Sequence, residues 1–369
     1  MATRPDVLIL GGGIIGAALA EELARRGRRV VVLDRGAPGA EASSAAAGIL
    51  SAQMDVPRPG AFFELCQAAR RLYPGWVRRL ERVSGVATEY RANGILYLAQ
   101  SAAQRDRTAR RAHWQRRRGL PVEVWSPAQI RRKEPAVDGP VLSGFHYPLE
   151  GQLNNVALME ALVRACRRAG VTVRQAAPVR RILVRRKTAL GVETEQGILR
   201  APVIVNCLGS WANLGGRFPV RLPVEPARGQ MLAFQAPHGF IRRPVMSDRA
   251  YMVQRRDGRL IAGSTIERAG FEKALTLEGM HAILCGLRHF SRRAAQCVFL
   301  DSWAGLRPRT PDDQPILGAT GIKGLYVATG HFRHGILLAP ITAQLMAEMI
   351  LAGRSSFDLR LFSPARFSG

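Results

Sequence analysis

Three glycines at the spacing Gly11-x-Gly13-x-x-Gly16, followed by an acid at Asp34, carry the first recognisable chemistry in this chain. Gly11 lets the chain turn tightly off a strand, Gly13 lets backbone N–H groups reach a pyrophosphate, and Gly16 lets a helix pack closely on the sheet. The helix N-terminus then aims unpaired N–H groups and its positive dipole end at the phosphates. Asp34 can accept hydrogen bonds from a ribose 2′-hydroxyl and would repel a 2′-phosphate, which disfavours NADP. The combination predicts dinucleotide binding and leaves FAD and NAD open.

The elements that must position these residues are legible around them. An apolar run of strand length, Val7-Leu8-Ile9-Leu10, enters the glycine turn, a helix-length segment follows to Arg26-Gly27, and Val30-Val31-Val32-Leu33 forms a second strand ending on Asp34. The loop from Gly36 to Gly48 holds Ala42-Ser43-Ser44-Ala45-Ala46-Ala47, whose small side chains let main chain close over a bulky ligand. Ser43 and Ser44 can bond phosphate or polyol oxygens. Further on, 62–83 reads as a helix interrupted at Pro74-Gly75, 94–98 as a strand, 102–118 as a very basic helix with a solvated face, and Ser126-Pro127 as a helix start. Asn154 or Asn155 caps a helix running to Gly170. A hairpin-like region at 179–199 returns to the apolar strand Val203-Ile204-Val205-Asn206, which ends towards Gly209 and brings the chain back to the first sheet. Strand patterns at 228–232, 250–253 and 260–263 predict an antiparallel substrate domain.

With 369 residues, 47% hydrophobic and 22% charged, the chain has the composition of an ordinary globular protein large enough for two domains. The expectation is a discontinuous dinucleotide domain of residues 1–85, 150–215 and 300–369, interleaved with a substrate domain of residues 86–149 and 216–299. No apolar run is expected to reach the roughly 18–20 residues a membrane span needs. With no leader-like N-terminus either, a cytoplasmic protein is expected. The cysteines Cys66, Cys166, Cys207, Cys285 and Cys297 lack metal-ligand spacing and read as reduced core residues, and no metal site is expected. Lys and Arg number 54 against 28 acids, a net charge of +26. The arginines are scattered in twos and threes without interleaved aromatics, which argues against nucleic acid as a partner.

The C-terminal part bears on the cofactor. Trp303-Ala304-Gly305-Leu306-Arg307-Pro308 precedes a strand at 325–329, the turn Gly330-His331-Phe332-Arg333-His334-Gly335, and an apolar helix at 336–352. This supplies a second helix N-terminus, whose dipole suits the negative charge of a reduced flavin. At these residues, with the Gly11–Gly16 turn and Ser43-Ser44-Ala45-Ala46-Ala47-Gly48-Ile49-Leu50, the chain resembles the D-amino acid oxidase family of flavoenzymes. Over nearly its whole length it is most similar to that family's glycine oxidase branch of thiamine biosynthesis.

The resemblance implies an α/β fold: an FAD-binding Rossmann-like domain of the glutathione-reductase type, interleaved with an antiparallel-sheet α+β substrate domain. It implies non-covalent FAD contacted by Ile14, Ile15, Asp34, Arg35, Ala42, Ser43, Ala47, Gly48, Ile49 and Val179, and by the turn His331, Phe332, Arg333, His334, Gly335, Ile336 and Leu337. Arg307 would hold a substrate carboxylate, with Tyr251 and Arg333 nearby. A bidentate guanidinium assisted by a phenol is the natural anchor for a small amino acid, which offers little other surface. The implied activity is oxidation of glycine or another small primary or secondary amino acid by hydride transfer from Cα to flavin N5. The products would be an imine, then glyoxylate and ammonia, with O2 reoxidising the flavin to hydrogen peroxide. The runner-up is a D-amino acid or sarcosine-type dehydrogenase using another acceptor. Thiazole-synthesis proteins are the implied partners, and a homo-oligomer is expected. The chain departs from the family pattern at Arg309 and His334, where Gly and Asn are usual, and at Asn154-Asn155, where Asp-Pro is common.

Overall fold

Val7–Leu10 is buried at every position because it lies in the middle of a six-stranded sheet, parallel to Val30–Leu33 on one side and Val203–Asn206 on the other. A strand covered on both faces has no solvent side to make polar, which explains its unbroken apolar run. The computed structural model describes residues 4–367 of the chain. The order across this sheet is Ile316–Ala319, Leu325–Thr329, Val203–Asn206, Val7–Leu10, Val30–Leu33 and Thr172–Arg174, parallel except for the first pair. Helices Ile14–Arg25, Ala61–Ser84, Asn155–Arg168 and Gly335–Ala352 pack against one another over it, and their apolar faces form the largest core.

A second sheet of eight strands runs Val298–Arg309, Glu225–Gln235, Arg259–Gly263, Tyr251–Gln254, Val245–Met246, Ile95–Ala99, Ser143–Tyr147 and Glu123–Trp125. It is antiparallel apart from the pairing of Val245–Met246 with Ile95–Ala99. The fold is therefore mixed α/β, with a parallel dinucleotide-type sheet and an antiparallel partner. The chain passes back and forth between the two, over 7–33, 95–147, 172–206, 225–309 and 316–352, so loops of both meet at one cleft.

Several expectations need correction. The expected boundary at 300 falls inside Val298–Arg309, a continuous strand paired along Glu225–Gln235, so the chain returns to the parallel sheet only after Arg309. Pro74 does not interrupt its helix, which is continuous from Ala61 to Ser84. A proline costs a helix interior about 3 kcal/mol, but burial of Phe63, Leu65, Cys66, Ala69, Tyr73, Val77 and Leu80 along one face outweighs it. The hairpin-like region is a three-stranded meander, Val179–Arg185, Thr188–Thr194 and Gly197–Arg200. Cys66, Cys166 and Cys207 are buried, whereas Cys285 is exposed and Cys297 half-buried; all five are free thiols. The helical segment Phe332–Ala352 is long and apolar enough to cross a membrane, but most of it is inside the core, against Ile14–Arg25 and Ala61–Ser84.

Candidate functional site

One cavity of about 590 Å³ runs between the two sheets, from the Gly11 turn to the face of the antiparallel sheet. At its first end the turn is built as the spacing predicts. Gly11 has φ +98°, a conformation that side chains rarely adopt, and a Cβ on Gly16 would lie 1.9 Å from the Gly11 carbonyl oxygen. Helix Ile14–Arg25 can therefore start against the turn. Asp34 accepts from the Gly12 N–H at 2.6 Å and the Gly36 N–H at 2.9 Å, which fixes its carboxylate beside the turn. Ser43 Oγ accepts from the Ile14 N–H at 2.9 Å, placing a hydroxyl at the helix N-terminus. Arg35 stacks over Trp211, its guanidinium carbon 3.6 Å from the ring centroid.

The small-residue loop is held from behind by a buried network. Arg255 donates to the carbonyls of Leu153, at 2.6 Å, and Ala47, at 3.0 Å, and to Asn155 Oδ1 at 2.8 Å. Asn155 Nδ2 passes the constraint on to the carbonyls of Ser43 and Ser44. Burial lowers the Arg255 guanidinium to about 10, and among the described residues no carboxylate bonds it directly. Asn154 caps the Asn155–Arg168 helix, accepting from the N–H groups of Val156 and Ala157. Asn155 is thereby free for the loop.

At the second end, Arg307 and Tyr251 face the cavity from the antiparallel sheet. Arg307 donates to Ser264 Oγ at 2.8 Å and to the Thr265 carbonyl at 3.1 Å, leaving further N–H groups for a ligand. Its side chain is not on the surface pairing with acids: Asp313 is taken by Arg309 and Asp312 by Arg366. Burial lowers the Arg307 guanidinium from its usual value; the Tyr251 hydroxyl opposes that shift, and the Arg333 charge adds to it. Burial raises the Tyr251 phenol, so its O–H remains a donor, now directed at Met231 Sδ at 3.2 Å. Room for both comes from missing side chains: a Cβ on Gly263 would lie 2.8 Å from the Tyr251 hydroxyl, and one on Gly229 would overlap the Arg307 guanidinium.

The turn 331–337 closes the cavity and starts the helix Gly335–Ala352, whose N-terminus carries no side-chain cap. His331 is buried and bonded through Nε2 to Thr342 Oγ1 at 3.1 Å. Burial pushes His331 down to about 3 and His334 down to about 4, so both are neutral at neutral pH. Among the described residues neither ring nitrogen of His334 has a hydrogen-bond partner; the ring packs edge-on against Phe62.

The sequence between residues 6 and 349 matches the family described as FAD dependent oxidoreductase, DAO. The chain belongs to the DAO family of FAD-dependent oxidoreductases. It is 33% identical to the glycine oxidase of Geobacillus kaustophilus over all of this chain and 99% of that protein. The crystal structure of a glycine oxidase from that organism superposes with a TM-score of 0.95 over 99% of this chain and 100% of that one, at 32% identity. It is 37% identical to the bifunctional protein ThiO/ThiG of Synechocystis over its full length, and spans 55% of that protein. The L-proline dehydrogenase of P. horikoshii shares the fold, with a TM-score of 0.90 at 23% identity over 100% of this chain and 99% of that one.

The residues present fit the FAD of this family. The cleft brings together the Gly11 turn, Asp34, the helix N-terminus at Gly335 and the Arg307–Tyr251 end. Of the residues expected at the DAO cofactor site, Gly11, Gly13, Ile14, Ile15, Asp34, Arg35, Ala42, Ser43, Ala47, Gly48, Ile49, Gly209 and the whole turn His331–Leu337 line the cavity. Gly16, Ser44 and Val179 do not. Gly16 serves helix packing instead, and the Ser44 carbonyl is turned towards Asn155. Val179 is half-buried against the cluster that includes Ala177, whose N–H donates to the Asp34 carbonyl at 2.8 Å.

Sequence reasoning missed Arg255, because one arginine among so many carries no signal of burial. It missed Gly229, Gly263 and Ser264 for a similar reason, since their roles depend on pairing between distant strands. The basic helix Ala102–Arg116 is also more than a solvated face. Arg107 and Arg111 turn into the outer cleft, where Arg107 pairs with Asp248 at 2.6 Å and Arg111 bonds the Met54 carbonyl. Among the described residues no cluster of three metal-ligating side chains exists.

Proposed function

We propose that this chain is an FAD-dependent oxidase of glycine or another small primary or secondary amino acid. The observation that carries the reading is the half-buried Arg307 guanidinium beside the Tyr251 hydroxyl, opening into the same cavity as the Gly11 turn. A desolvated guanidinium attracts a carboxylate more strongly than an exposed one, and a second donor from a phenol fixes the anion's orientation. FAD bound in the cleft supplies the two-electron acceptor for the hydride on the substrate Cα. The protein's own contribution is positional. Arg307, held by Ser264 and Thr265, fixes the carboxylate, and through it the Cα–H bond. The buried histidines at 331 and 334 remain neutral and add no charge to the turn.

Similarity to glycine oxidase along the full length supports glycine as the substrate, with glyoxylate, ammonia and hydrogen peroxide as products. Relatives named ThiO/ThiG join a chain like this one to a further portion of similar length, which supports a role beside thiazole synthesis. The test is anaerobic: glycine is added to the yellow protein and the oxidised flavin absorbance is followed. Prompt bleaching that recovers in air is the expected result. Bleaching without recovery would identify a dehydrogenase with another acceptor, and no bleaching with glycine, sarcosine or D-alanine would overturn the amino acid reading.

A further inference from the structure

The carboxylates bordering the cleft are Asp34, Glu41, Asp55 and Asp248. Three of them are already engaged. Asp34 holds the N–H groups of Gly12 and Gly36; Glu41 pairs with Arg35 and, at 3.1 Å, with Lys273; Asp248 accepts from Tyr97 at 2.5 Å, Gln104 at 3.1 Å and Arg107 at 2.6 Å. Asp55 differs from all of these. Among the described residues its carboxylate makes no hydrogen bond, and its one ion pair, to Arg333, is long at 3.8 Å. It is nevertheless not a surface group, its side chain being 19% exposed. Its backbone N–H is fixed to Ser51 Oγ at 3.2 Å, which sets the loop against the cavity.

Asp55 also stands on the substrate side of the cleft: its ion-pair partner Arg333 lines the same cavity as Arg307 and Tyr251. The Asp55 charge acts on the Tyr251 hydroxyl and on the His334 ring, in keeping with that placement. Asp34 and Glu41 belong instead to the dinucleotide end.

We propose that Asp55 binds the ammonium group of the substrate and is a specificity-determining residue, reading the amine while Arg307 and Tyr251 read the carboxylate. This rests on the amino acid oxidase reading above. An amino acid presents both charges on adjacent carbons, so a site that discriminates it from a plain carboxylate needs an anion as well as a cation. Arg307, Arg333, Arg111 and Arg107 all border this cleft and would hold any small anion. Among the described carboxylates lining the cleft, Asp55 is the one not already taken up by hydrogen bonds, and so the one able to favour an amine over a hydroxyl. The distant Arg333 pairing leaves the carboxylate oxygens free to exchange that partner for an ammonium donor, and a charge-assisted bond of this type is the stronger kind.

The test compares glycine with glycolate, which has the carboxylate but carries a hydroxyl in place of the amine. Glycolate binding is read from the perturbed flavin spectrum, and glycine from steady-state oxidation by the FAD-loaded enzyme. In Asp55→Asn, KM for glycine is expected to rise 10- to 100-fold, while glycolate binds as tightly as before or more tightly. Asp55→Glu is expected to restore part of the glycine affinity. An unchanged glycine KM in Asp55→Asn overturns the proposal, as does an equal loss of glycine and glycolate affinity, which would mean a collapsed loop. A wild-type protein that oxidises no amine overturns the amino acid reading itself, and this proposal with it.

Discussion

Gly229 and Arg307 sit on neighbouring strands such that a Cβ at position 229 would fall 2.0 Å from Arg307 Nη1 and 2.4 Å from its Cζ. The guanidinium occupies the space a side chain would need. Gly229→Ala is therefore expected to displace the anchor while costing the fold only the roughly 1–3 kcal/mol of local overpacking. Apparent KM for glycine should rise at least about tenfold, by the loss of one charge-assisted hydrogen bond, with flavin content unchanged. Kinetics together with the ratio of flavin to protein absorbance check this.

Arg307→Lys tests the anchor directly. A lysine keeps the charge but presents a flexible point donor in place of a planar fork, so the bidentate carboxylate contact is lost. With hydrogen bonds to charged groups worth about 1.5–3 kcal/mol each, kcat/KM for glycine should fall on the order of 100-fold or more. Flavin retention should not change, because Arg307 lies at the far end of the cleft from the Gly11 turn. An Arg307→Lys enzyme with the wild-type kcat/KM would remove Arg307 from the site.

Arg255 tests how the cofactor loop is held. Arg255→Met keeps much of the side-chain volume but abandons three acceptors: the carbonyls of Leu153 and Ala47, and Asn155 Oδ1. Loss of such a buried set should cost about 2–4 kcal/mol of stability and weaken flavin retention, since Asn155 in turn holds Ser43 and Ser44. Dialysis against buffer followed by an absorbance spectrum, alongside a thermal melt, measures both effects. A melt shifted without flavin loss would confine Arg255 to a purely structural role.

The contrast between Asp34 and Arg255 shows what could be seen in the sequence. Asp34 is readable because its spacing from the glycines is local, and local geometry dictates it: strand, turn, helix and strand lie within one βαβ unit. The turn 331–337 is similarly contained between one strand and one helix. Arg255, Gly229 and Asp55 depend on which distant segments meet, and no periodicity within their own strands or loops announces that. The same reason explains the misplaced boundary at 300. Val298–Arg309 carries a motif of the cofactor site, yet its register belongs to the antiparallel sheet, a fact visible only from its pairing with Glu225–Gln235. Val179, expected at the cofactor, lies outside the cavity lining, half-buried at the start of the three-stranded meander and packed against the cluster that includes Ala177 and Ile182.

Buried titratable groups set opposing pH limits on stability. Glu150 is 1% exposed, and burial pushes its carboxyl from an ordinary 4.5 up to about 8, against the N–H groups of Gln53 and Met54 that it accepts. Between pH 4.5 and about 8 the folded protein keeps a proton that the unfolded chain has released, so stability falls as pH rises through that window. His331 and His334 act in the opposite sense. Held at about 3 and 4 rather than 6.5, they stay neutral in the fold while the unfolded chain takes up protons, so stability is lost as pH falls below 6.5. From these three groups the maximum lies near pH 6.5. Each unbalanced proton contributes a slope of about 1.4 kcal/mol per pH unit. Glu150→Gln keeps an oxygen for the two N–H donors and removes the titration. Its melting temperature should hold or rise slightly between pH 6.5 and 8, where that of the wild type declines, and should exceed the wild type at pH 8. His334→Asn should leave that alkaline decline intact and make the acid decline shallower. Parallel melting curves for wild type and Glu150→Gln across pH 6.5–8 would show that Glu150 does not carry the alkaline limb.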